Sequence, residues 1–169
     1  ILNSKEYQKV AVLMENRQRN SVSERFDGFM DSLKYSDYRI DLWEREESDS
    51  DLPQFIQDKL KTTGANIVVA LDDSTLEAVI DALKTYDVTA EVYGIGSTNK
   101  IIHYLDYGLI QSIVFQNEFN MGYLSVQELF KDSKDKVNNY SETEIEFRTI
   151  NRETMYLPKN QRLIFPIIQ

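Results

Sequence analysis

Two continuous apolar runs constrain the fold of this chain more than any other feature. Lys9–Met14 (KVAVLM) and Asn66–Leu71 (NIVVAL) lack the regular polar alternation of a strand that has one face in water. Such runs are typical of strands buried on both faces, as in parallel sheets covered by helices. We therefore expect both segments to be buried strands of an α/β sheet.

Strand-like segments recur along the chain, and each is followed by a helical pattern. They begin near positions 9, 38, 66, 90 and 110, a spacing that suits β–α–β crossovers with parallel strands and right-handed connections. The sequence thus predicts an open, mostly parallel α/β sheet flanked by helices. The predicted strands are Lys9–Met14, Tyr38–Trp43 (alternating, hence at or near an edge), Asn66–Leu71, Ala90–Gly94 and Ile110–Phe115, and the predicted helices are Ser21–Lys34, about Pro53 to Gly64, Ser74–Tyr86, Asn99–Tyr107 and Asn120–Lys131.

Several residues have the spacing of helix ends. Ser21 and Glu24 match a capping box at the start of the first helix. Gly64 and Gly108 follow the second and fourth helical patterns, where a left-handed residue ends a helix. These signals predict one capped helix start and two glycine-terminated helices.

The pattern changes after the fifth unit. Lys131–Thr143 is polar and charged, which predicts a surface loop, and Glu144–Ile150 alternates like a half-exposed strand. Leu163–Ile168 is a last apolar segment. The tail is therefore not expected to form another β–α unit.

Composition narrows the possible functions. One domain is the default for 169 residues, and the formal net charge of −9 disfavours nucleic acid and anionic membrane surfaces as direct partners. The absence of cysteine excludes disulfides, thiolate nucleophiles and zinc–thiolate sites. No apolar run approaches the ~20 residues of a transmembrane helix. The start at Ile1, without a methionine, is compatible with removal of a signal peptide or an upstream domain.

A ligand of such a sheet is expected at the carboxyl ends of the strands, where helix N-termini also point. Five loops lie there, namely residues 15–20, 44–51, 72–74, 95–98 and 116–118. Their carboxylates, guanidiniums and neutral polar groups suit hydroxyls, which both donate and accept hydrogen bonds. They contain Arg17, Arg19, Asp72, Asp73, Ser97, Thr98, Gln116 and Asn117.

Enzyme templates fit this sequence poorly, so we predict a protein that is not an enzyme and needs no cofactor or metal. Gly94-Ile95-Gly96 is a lone GxG, without the glycines of a dinucleotide fingerprint after the first strand. The single histidine, His103, lies within a predicted helix, where a surface or packing role is expected rather than a catalytic one.

Four passages together resemble the type I periplasmic-binding-protein superfamily, which includes ribose-type sugar binders and the effector domains of LacI-type repressors. Their order and spacing match that family. The passages are Ser23–Phe29 (SERFDGF), Val68–Leu83 (VVALDDSTLEAVIDAL), Val92–Thr98 (VYGIGST) and Tyr104–Val126 (YLDYGLIQSIVFQNEFNMGYLSV).

The resemblance implies that the chain is incomplete as a binding unit. The family has two similar lobes with the ligand between them, and residues 1–169 resemble mostly the second lobe. The helix after Gln116 and the strand Glu144–Ile150 match segments that return to the first lobe. We therefore expect one α/β domain over 1–169, with most of the first lobe absent from this chain.

The resemblance also implies ligand-binding residues. Arg25 matches the family's binding arginine, Asp72 the asparagine that contacts sugar hydroxyls, and Gln116 the glutamine that ends the fifth strand. Asp73 and Arg17, in neighbouring strand-end loops, complete the predicted ligand-binding set. Gly96 departs from the family, because sugar binders usually have an aspartate there. A different ligand, weaker binding or a compensating carboxylate from Asp72 are the alternatives.

Each assignment has a structural alternative. Asp72 and Asp73 are also expected as caps of the helix that they precede. Arg25 has a surface ion pair as its alternative role, and Gln116 a hydrogen bond to backbone groups. Trp43 is expected to pack in the core or at the edge, with stacking on a sugar ring as the weaker hypothesis. The acidic run Glu44–Asp51 is expected to be a solvated loop, since it lacks the ligand spacing of a calcium-binding EF-hand loop.

The leading hypothesis is a solute-binding protein or sensor domain for a carbohydrate-like small molecule. It would lie outside the cytoplasm, with a membrane transporter or a sensor kinase as its partner, and would close two lobes around its ligand. The alternative is the cytoplasmic effector domain of a LacI-type regulator, and the least favoured is a doubly wound enzyme. The sequence upstream of Ile1 would separate the first two.

Overall fold

The computed structural model describes residues 9–15, 18–35, 38–44, 51–130 and 145–165, apart from the side chains of residues 128 and 129. The five predicted β–α units are present, with boundaries shifted by two residues at most. The elements are β1 Lys9–Met14, α1 Asn20–Leu33, β2 Arg39–Glu44, α2 Leu52–Thr63, β3 Ile67–Ala70, α3 Asp73–Thr85, β4 Glu91–Ile95, α4 Asn99–Tyr107, β5 Ser112–Gln116, α5 Glu118–Phe130, β6 Phe147–Asn151 and α6 Pro158–Ile164.

The strands form one sheet in the order β2-β1-β3-β4-β5-β6. The first five are parallel, and β6 pairs antiparallel with β5. The predicted mostly parallel sheet is therefore confirmed, as is the edge position of β2. Val12 in β1 pairs with Leu42 on one side and Val69 on the other. Val10 and Val12 enter one core cluster and Ala11 and Leu13 enter the other, so both faces of β1 are buried and its segment needs no polar alternation.

The helices divide between the two faces of the sheet. The connection from β1 to β2 crosses the sheet towards the β2 edge, whereas the connections through α2, α3 and α4 cross it towards β5. Because such crossovers are right-handed, α1 lies on one face of the sheet and α2, α3 and α4 lie on the other. Phe26 of α1 packs with Val10 and Val12, whereas Ile56 of α2 and Leu76 of α3 belong to a second core on the other face.

Most of the predicted helix ends are confirmed. Gly64 and Gly108 follow α2 and α4 with φ of 65° and 85°, a left-handed conformation that glycine adopts without a Cβ clash. The predicted capping box at Ser21 is wrong. Helix α1 begins at Asn20, so Ser21 lies inside the first turn, and the extended residue before the helix is Arg19, which makes no side-chain cap.

Both aromatic predictions hold. Trp43 is 1% exposed and packs in the core. His103 is exposed on α4 and contacts the rings of Tyr104 and Tyr107. Trp43 is thus buried near the end of β2, and His103 lies in the middle of α4.

The tail departs in detail from its prediction. Strand β6 begins three residues later than the predicted start at Glu144, and Pro158 opens a short helix that the sequence pattern did not predict. The predicted loop Lys131–Thr143 lies outside the described residues, as does the end of the predicted apolar segment, residues 166–168.

Helix α5 differs from the other helices because none of its described side chains is buried. Large apolar residues of a helix are normally buried in a core or an interface. In the described part of the chain, no helix combines the length and the apolar character needed to cross a bilayer. The exposed apolar residues of α5, with their exposed fractions, are Phe119 71%, Met121 39%, Tyr123 59%, Val126 53% and Phe130 84%.

Candidate functional site

The order of the strands places a crevice between β1 and β3. The chain moves from β1 to one side of the sheet and later from β3 to the other, and open α/β sheets bind ligands at such a switch point. At this point the backbone N–H of Glu15, after β1, donates to Oδ2 of Asp72, after β3, at 3.3 Å. The two strand ends are thus joined directly.

Asp72 is the N-cap of α3. Its Oδ1 accepts from the backbone N–H of Thr75 at 2.8 Å and from the hydroxyl of Ser74 at 2.7 Å, and the hydroxyl of Thr75 lies at 2.9 Å. Thr75 is fully buried, so Asp72 satisfies polar groups that water does not reach. The predicted capping role of Asp72 is therefore present in the structure.

Asp73 lies next to Asp72 but faces a different loop. Its Oδ1 accepts from the backbone N–H of Ser97 at 2.8 Å. Ser97 follows β4, so this bond ties the start of α3 to the β4–α4 loop. Asp73 is half-buried at the same edge of the sheet.

Arg25 reaches the strand ends from α1. Its Nη1 donates to the backbone carbonyl of Leu71 at 2.9 Å, and its Nη2 donates to Oε1 of Gln116 at 3.4 Å. Leu71 follows β3 and Gln116 ends β5, so the guanidinium spans the end of β4 between them. These contacts join two of the residues that the family resemblance implied as ligand-binding. They also leave guanidinium donors for a further partner, since arginine carries five N–H groups.

A groove of about 220 Å³ opens beside Arg25 on the face of the sheet that α1 covers. A second pocket of the same volume lies between β6 and α6 and contains none of the predicted binding residues. The first groove is lined by Arg25 and Phe29 of α1 together with Val69, Leu71, Tyr93, Gly94, Ile95, Ser112, Ile113, Val114 and Thr149.

The other strand-end residues have structural partners or lie outside the description. Arg17 is outside the described residues, so its predicted role remains a prediction. Arg19 is mostly exposed and lies 3.9 Å from Glu15. Asn117 and Thr98 accept hydrogen bonds from backbone N–H groups at the starts of α5 and α4.

An ionic network supports the β4–α4 loop from α3. Glu77 accepts a 2.5 Å hydrogen bond from the hydroxyl of Thr98, and Lys100 lies 3.6 Å from Glu77 and 2.8 Å from Asp81. Burial lowers the pKa of Lys100, but the hydrogen bond and charge of Asp81, with the charge of Glu77, outweigh burial. The pKa of this amine therefore lies above its ordinary value, and the pairing favours its charged form.

Sequence reasoning did not single out Glu15 or Ser74. The hydroxyl of Ser74 lies within hydrogen-bond distance of carboxylate oxygens of both Asp72, at 2.7 Å, and Glu15, at 3.1 Å. The signal was present, because Glu15 directly follows β1 and Ser74 lies in the first turn of α3 at the same edge. Among the described residues, no group of three or more acidic, histidine or cysteine side chains is arranged to hold a metal.

The chain belongs to the family described as periplasmic binding protein domain, whose model matches residues 1–134. The mostly parallel α/β fold agrees with that assignment. A comparison with curated proteins finds no match.

Solved structures share the fold at low sequence identity. A carbohydrate transporter solute-binding protein from Agrobacterium radiobacter, in complex with D-arabinose, has a TM-score of 0.84 at 20% identity, over 96% of this chain and 57% of its own. An ABC transporter solute-binding protein from Agrobacterium vitis, bound with α-D-tagatopyranose, has a TM-score of 0.76 at 13% identity, and the match covers 93% of this chain and 54% of that protein. A glucose-galactose binding protein from Geobacillus stearothermophilus has a TM-score of 0.71 at 19% identity, and the match covers 89% of this chain and 55% of that protein. The chain therefore spans slightly more than half the length of these proteins.

Proposed function

We propose that this chain is the second lobe of a two-lobed solute-binding protein that recognises a carbohydrate-like small molecule. Family membership supports a binding protein. The solved structures that name D-arabinose, tagatopyranose and glucose-galactose support a sugar as the class of ligand. Recognition on this proposal consists of hydrogen bonding and desolvation, and no bond of the ligand is made or broken.

The observation that carries the proposal is the position of Arg25. Its guanidinium is fixed by Leu71 and Gln116 at the carboxyl edge of the sheet, and a fixed donor loses little conformational freedom when a ligand binds. Its remaining N–H groups and the nearby carboxylates provide both donors and acceptors. Sugar hydroxyls need both, since each unpaired polar group in a closed site weakens binding.

The exposed apolar residues of α5 support the two-lobed arrangement. Side chains such as Phe119 and Phe130 remain in water on this chain, which a folded protein normally avoids for a whole helix. The related structures extend well beyond the matched region, which is 57% of the first of them. On this proposal, the first lobe covers α5 and supplies the opposite wall of the cleft.

The proposal also gives the protein a location and a partner. Several related structures are described as solute-binding proteins of sugar transporters. By analogy, the protein would work outside the cytoplasm and deliver its ligand to a membrane transporter or report it to a sensor kinase. Closure of the lobes around the ligand would be the signal that the partner recognises.

A thermal-shift screen of neutral monosaccharides on the complete two-lobed protein tests the function. At a hundredfold excess over Kd, a bound sugar stabilises the folded state by about 2.7 kcal/mol. We expect at least one sugar to raise the melting temperature, and Arg25→Ala and Gln116→Ala to lose that shift. Arg39→Ala is the matched control, because Arg39 is exposed at the opposite edge of the sheet. Full retention of the shift by both site variants would refute the site.

A further inference from the structure

A second pocket, of about 220 Å³, lies between the edge strand β6 and helix α6. A water molecule takes up about 30 Å³ in the liquid, so this pocket has room for a small molecule rather than for a single water. Thr149 is the one lining residue that it shares with the groove beside Arg25. The lining residues are Arg148, Thr149, Thr154, Leu157, Lys159 and Asn160.

A hydrogen-bonded turn fixes one wall of this β6–α6 pocket. Oδ1 of Asn151 accepts from the backbone N–H of Thr154 at 2.9 Å, and the hydroxyl of Thr154 accepts from the backbone N–H of Asn151 at 3.1 Å. Asn160 is 3% exposed, and its Nδ2 donates to the carbonyl of Thr154 at 2.8 Å. The wall is therefore formed in advance, which lowers the cost of ordering it around a ligand.

Two buried polar groups of the pocket are left without a partner. Nη2 of Arg148 pairs with Glu146, but its Nε is buried and has no hydrogen-bond partner. Among the described residues, no group donates to Oδ1 of the buried Asn160. Buried polar groups in proteins are normally paired. The unused donor and the unused acceptor therefore indicate that another molecule is bound between them.

The pocket is positively charged although the chain is acidic. The net charge of the chain is −9, yet Arg148 and Lys159 line the pocket and no acidic residue does. Within the described part of the chain, Lys159 makes no ion pair. A guanidinium and an ammonium beside one small space suit the oxygens of a carboxylate or a phosphate group.

We propose that the β6–α6 pocket binds a small organic anion through a carboxylate or phosphate group. Nε of Arg148 donates to the oxyanion, and the ammonium of Lys159 supplies a second positive charge. Oδ1 of Asn160 accepts from a hydroxyl or N–H of the same ligand, and Leu157 provides an apolar wall. The inference does not depend on the proposed sugar-binding function, because none of the residues assigned to that function lines this pocket.

Isothermal titration of the full-length protein with inorganic phosphate and with L-malate, at an ionic strength kept constant with chloride, tests the site. We expect saturable binding of at least one of them, and the tighter of the two identifies the oxyanion group. Arg148→Gln and Lys159→Gln should each raise Kd by about threefold or more. Arg162→Gln is the matched control for Lys159→Gln, since Arg162 is exposed on the same helix and does not line the pocket.

Two further comparisons separate the roles of individual groups. Arg148→Lys keeps the positive charge but lacks Nε, so it should also raise Kd, and it serves as well if Arg148→Gln folds poorly. Arg39→Gln makes the same change on the opposite edge strand and should leave Kd unchanged. L-malate should bind more tightly than succinate, which lacks the hydroxyl that Asn160 accepts from. Equal affinity for the two acids would overturn the role of Asn160.

Two results would overturn the site itself. If neither phosphate nor L-malate binds more than chloride does, the pocket holds only water. If Arg162→Gln weakens binding as much as Lys159→Gln, the anion responds to diffuse surface charge and not to this pocket. Neither result changes the outcome of the sugar screen, so failure of the anion site and failure of the proposed function are distinguishable.

Discussion

Arg25 donates a hydrogen bond to Gln116 across 91 positions of sequence. The two residues lie on α1 and at the end of β5, and Arg25 also holds the carbonyl of Leu71 at the end of β3. One guanidinium therefore ties together three elements that the chain reaches at widely separated points. This cluster at the strand ends is a product of the sheet order, in which β3, β4 and β5 are neighbours.

Arg25→Lys should weaken sugar binding although it keeps the charge. A lysine ammonium is a point donor on a flexible stem and cannot reproduce the planar geometry that reaches Leu71 and Gln116 together. We expect Kd for the sugar to rise about tenfold, measured by isothermal titration on the two-lobed protein. Arg39→Lys should leave Kd unchanged. Equal affinity of Arg25→Lys and wild type would mean that charge alone is needed at this position.

Asp72→Ala should destabilise the fold. The substitution removes the N-cap of α3 and leaves the buried hydroxyl of Thr75 without one of its partners. Loss of a cap costs roughly 0.5–2 kcal/mol, and the unsatisfied hydroxyl adds to that cost. Urea denaturation should therefore give a free energy of unfolding lower by about 1–3 kcal/mol. The free energy of unfolding of Asp72→Asn should fall far less, because asparagine also caps helices. An equal fall in the two variants would argue against the capping role.

Much of the fold was predictable because local and global preferences agree. The continuous apolar runs at Lys9–Met14 and around Val68 occupy strands whose residues enter the cores on both faces of the sheet, so burial on both faces removes any need for alternation. Gly64 and Gly108 ended their helices as predicted, because few other residues tolerate positive φ. At Ser21 the sequence signal failed, since the helix starts at Asn20, before the predicted cap.

The site was only partly predictable. The sequence could indicate which residues follow strands, and it named Arg25, Asp72, Asp73 and Gln116. It could not separate the roles of Asp72 and Asp73, because their partners depend on how α3 meets two different loops. A Cβ at Gly96 would lie 2.5 Å from Cδ1 of Ile101, a restriction that depends on tertiary packing and that no local pattern encodes.

The pairing of Lys100 should make stability depend on pH in the alkaline range. The carboxylates of Asp81 and Glu77 raise the pKa of Lys100 above its ordinary value of 10.5 in the folded state. A raised folded pKa stabilises the protein fully below pH 10.5, and that stabilisation is lost as pH rises through the folded pKa. In urea denaturation, the free energy of unfolding of wild type should therefore exceed that of Lys100→Gln by a constant amount at neutral pH, and this difference should shrink above pH 10.5. A difference in the free energy of unfolding that grows with alkaline pH would contradict the pairing.

Substitutions on α5 should distinguish the single lobe from the complete protein. Val126 is 53% exposed and its neighbour Gln127 is also exposed, so Val126→Asp and Gln127→Asp should both cost little, about 0.5 kcal/mol, in the chain of residues 1–169. In the two-lobed protein, Val126→Asp buries an unpaired charge and should cost more than about 2 kcal/mol in urea denaturation. A Val126→Asp variant as stable as wild type in the complete protein would show that the first lobe does not cover this helix.

A crystal structure of the two-lobed protein with a sugar that stabilises it tests the central claim most directly. We expect the sugar ring between the lobes, with hydroxyls within hydrogen-bond distance, about 2.7–3.2 Å, of the Arg25 guanidinium and of the carboxylate of Asp72 or Asp73. A sugar bound elsewhere, such as in the pocket beside Lys159 and Asn160, with the strand-end edge filled only by water, would contradict it.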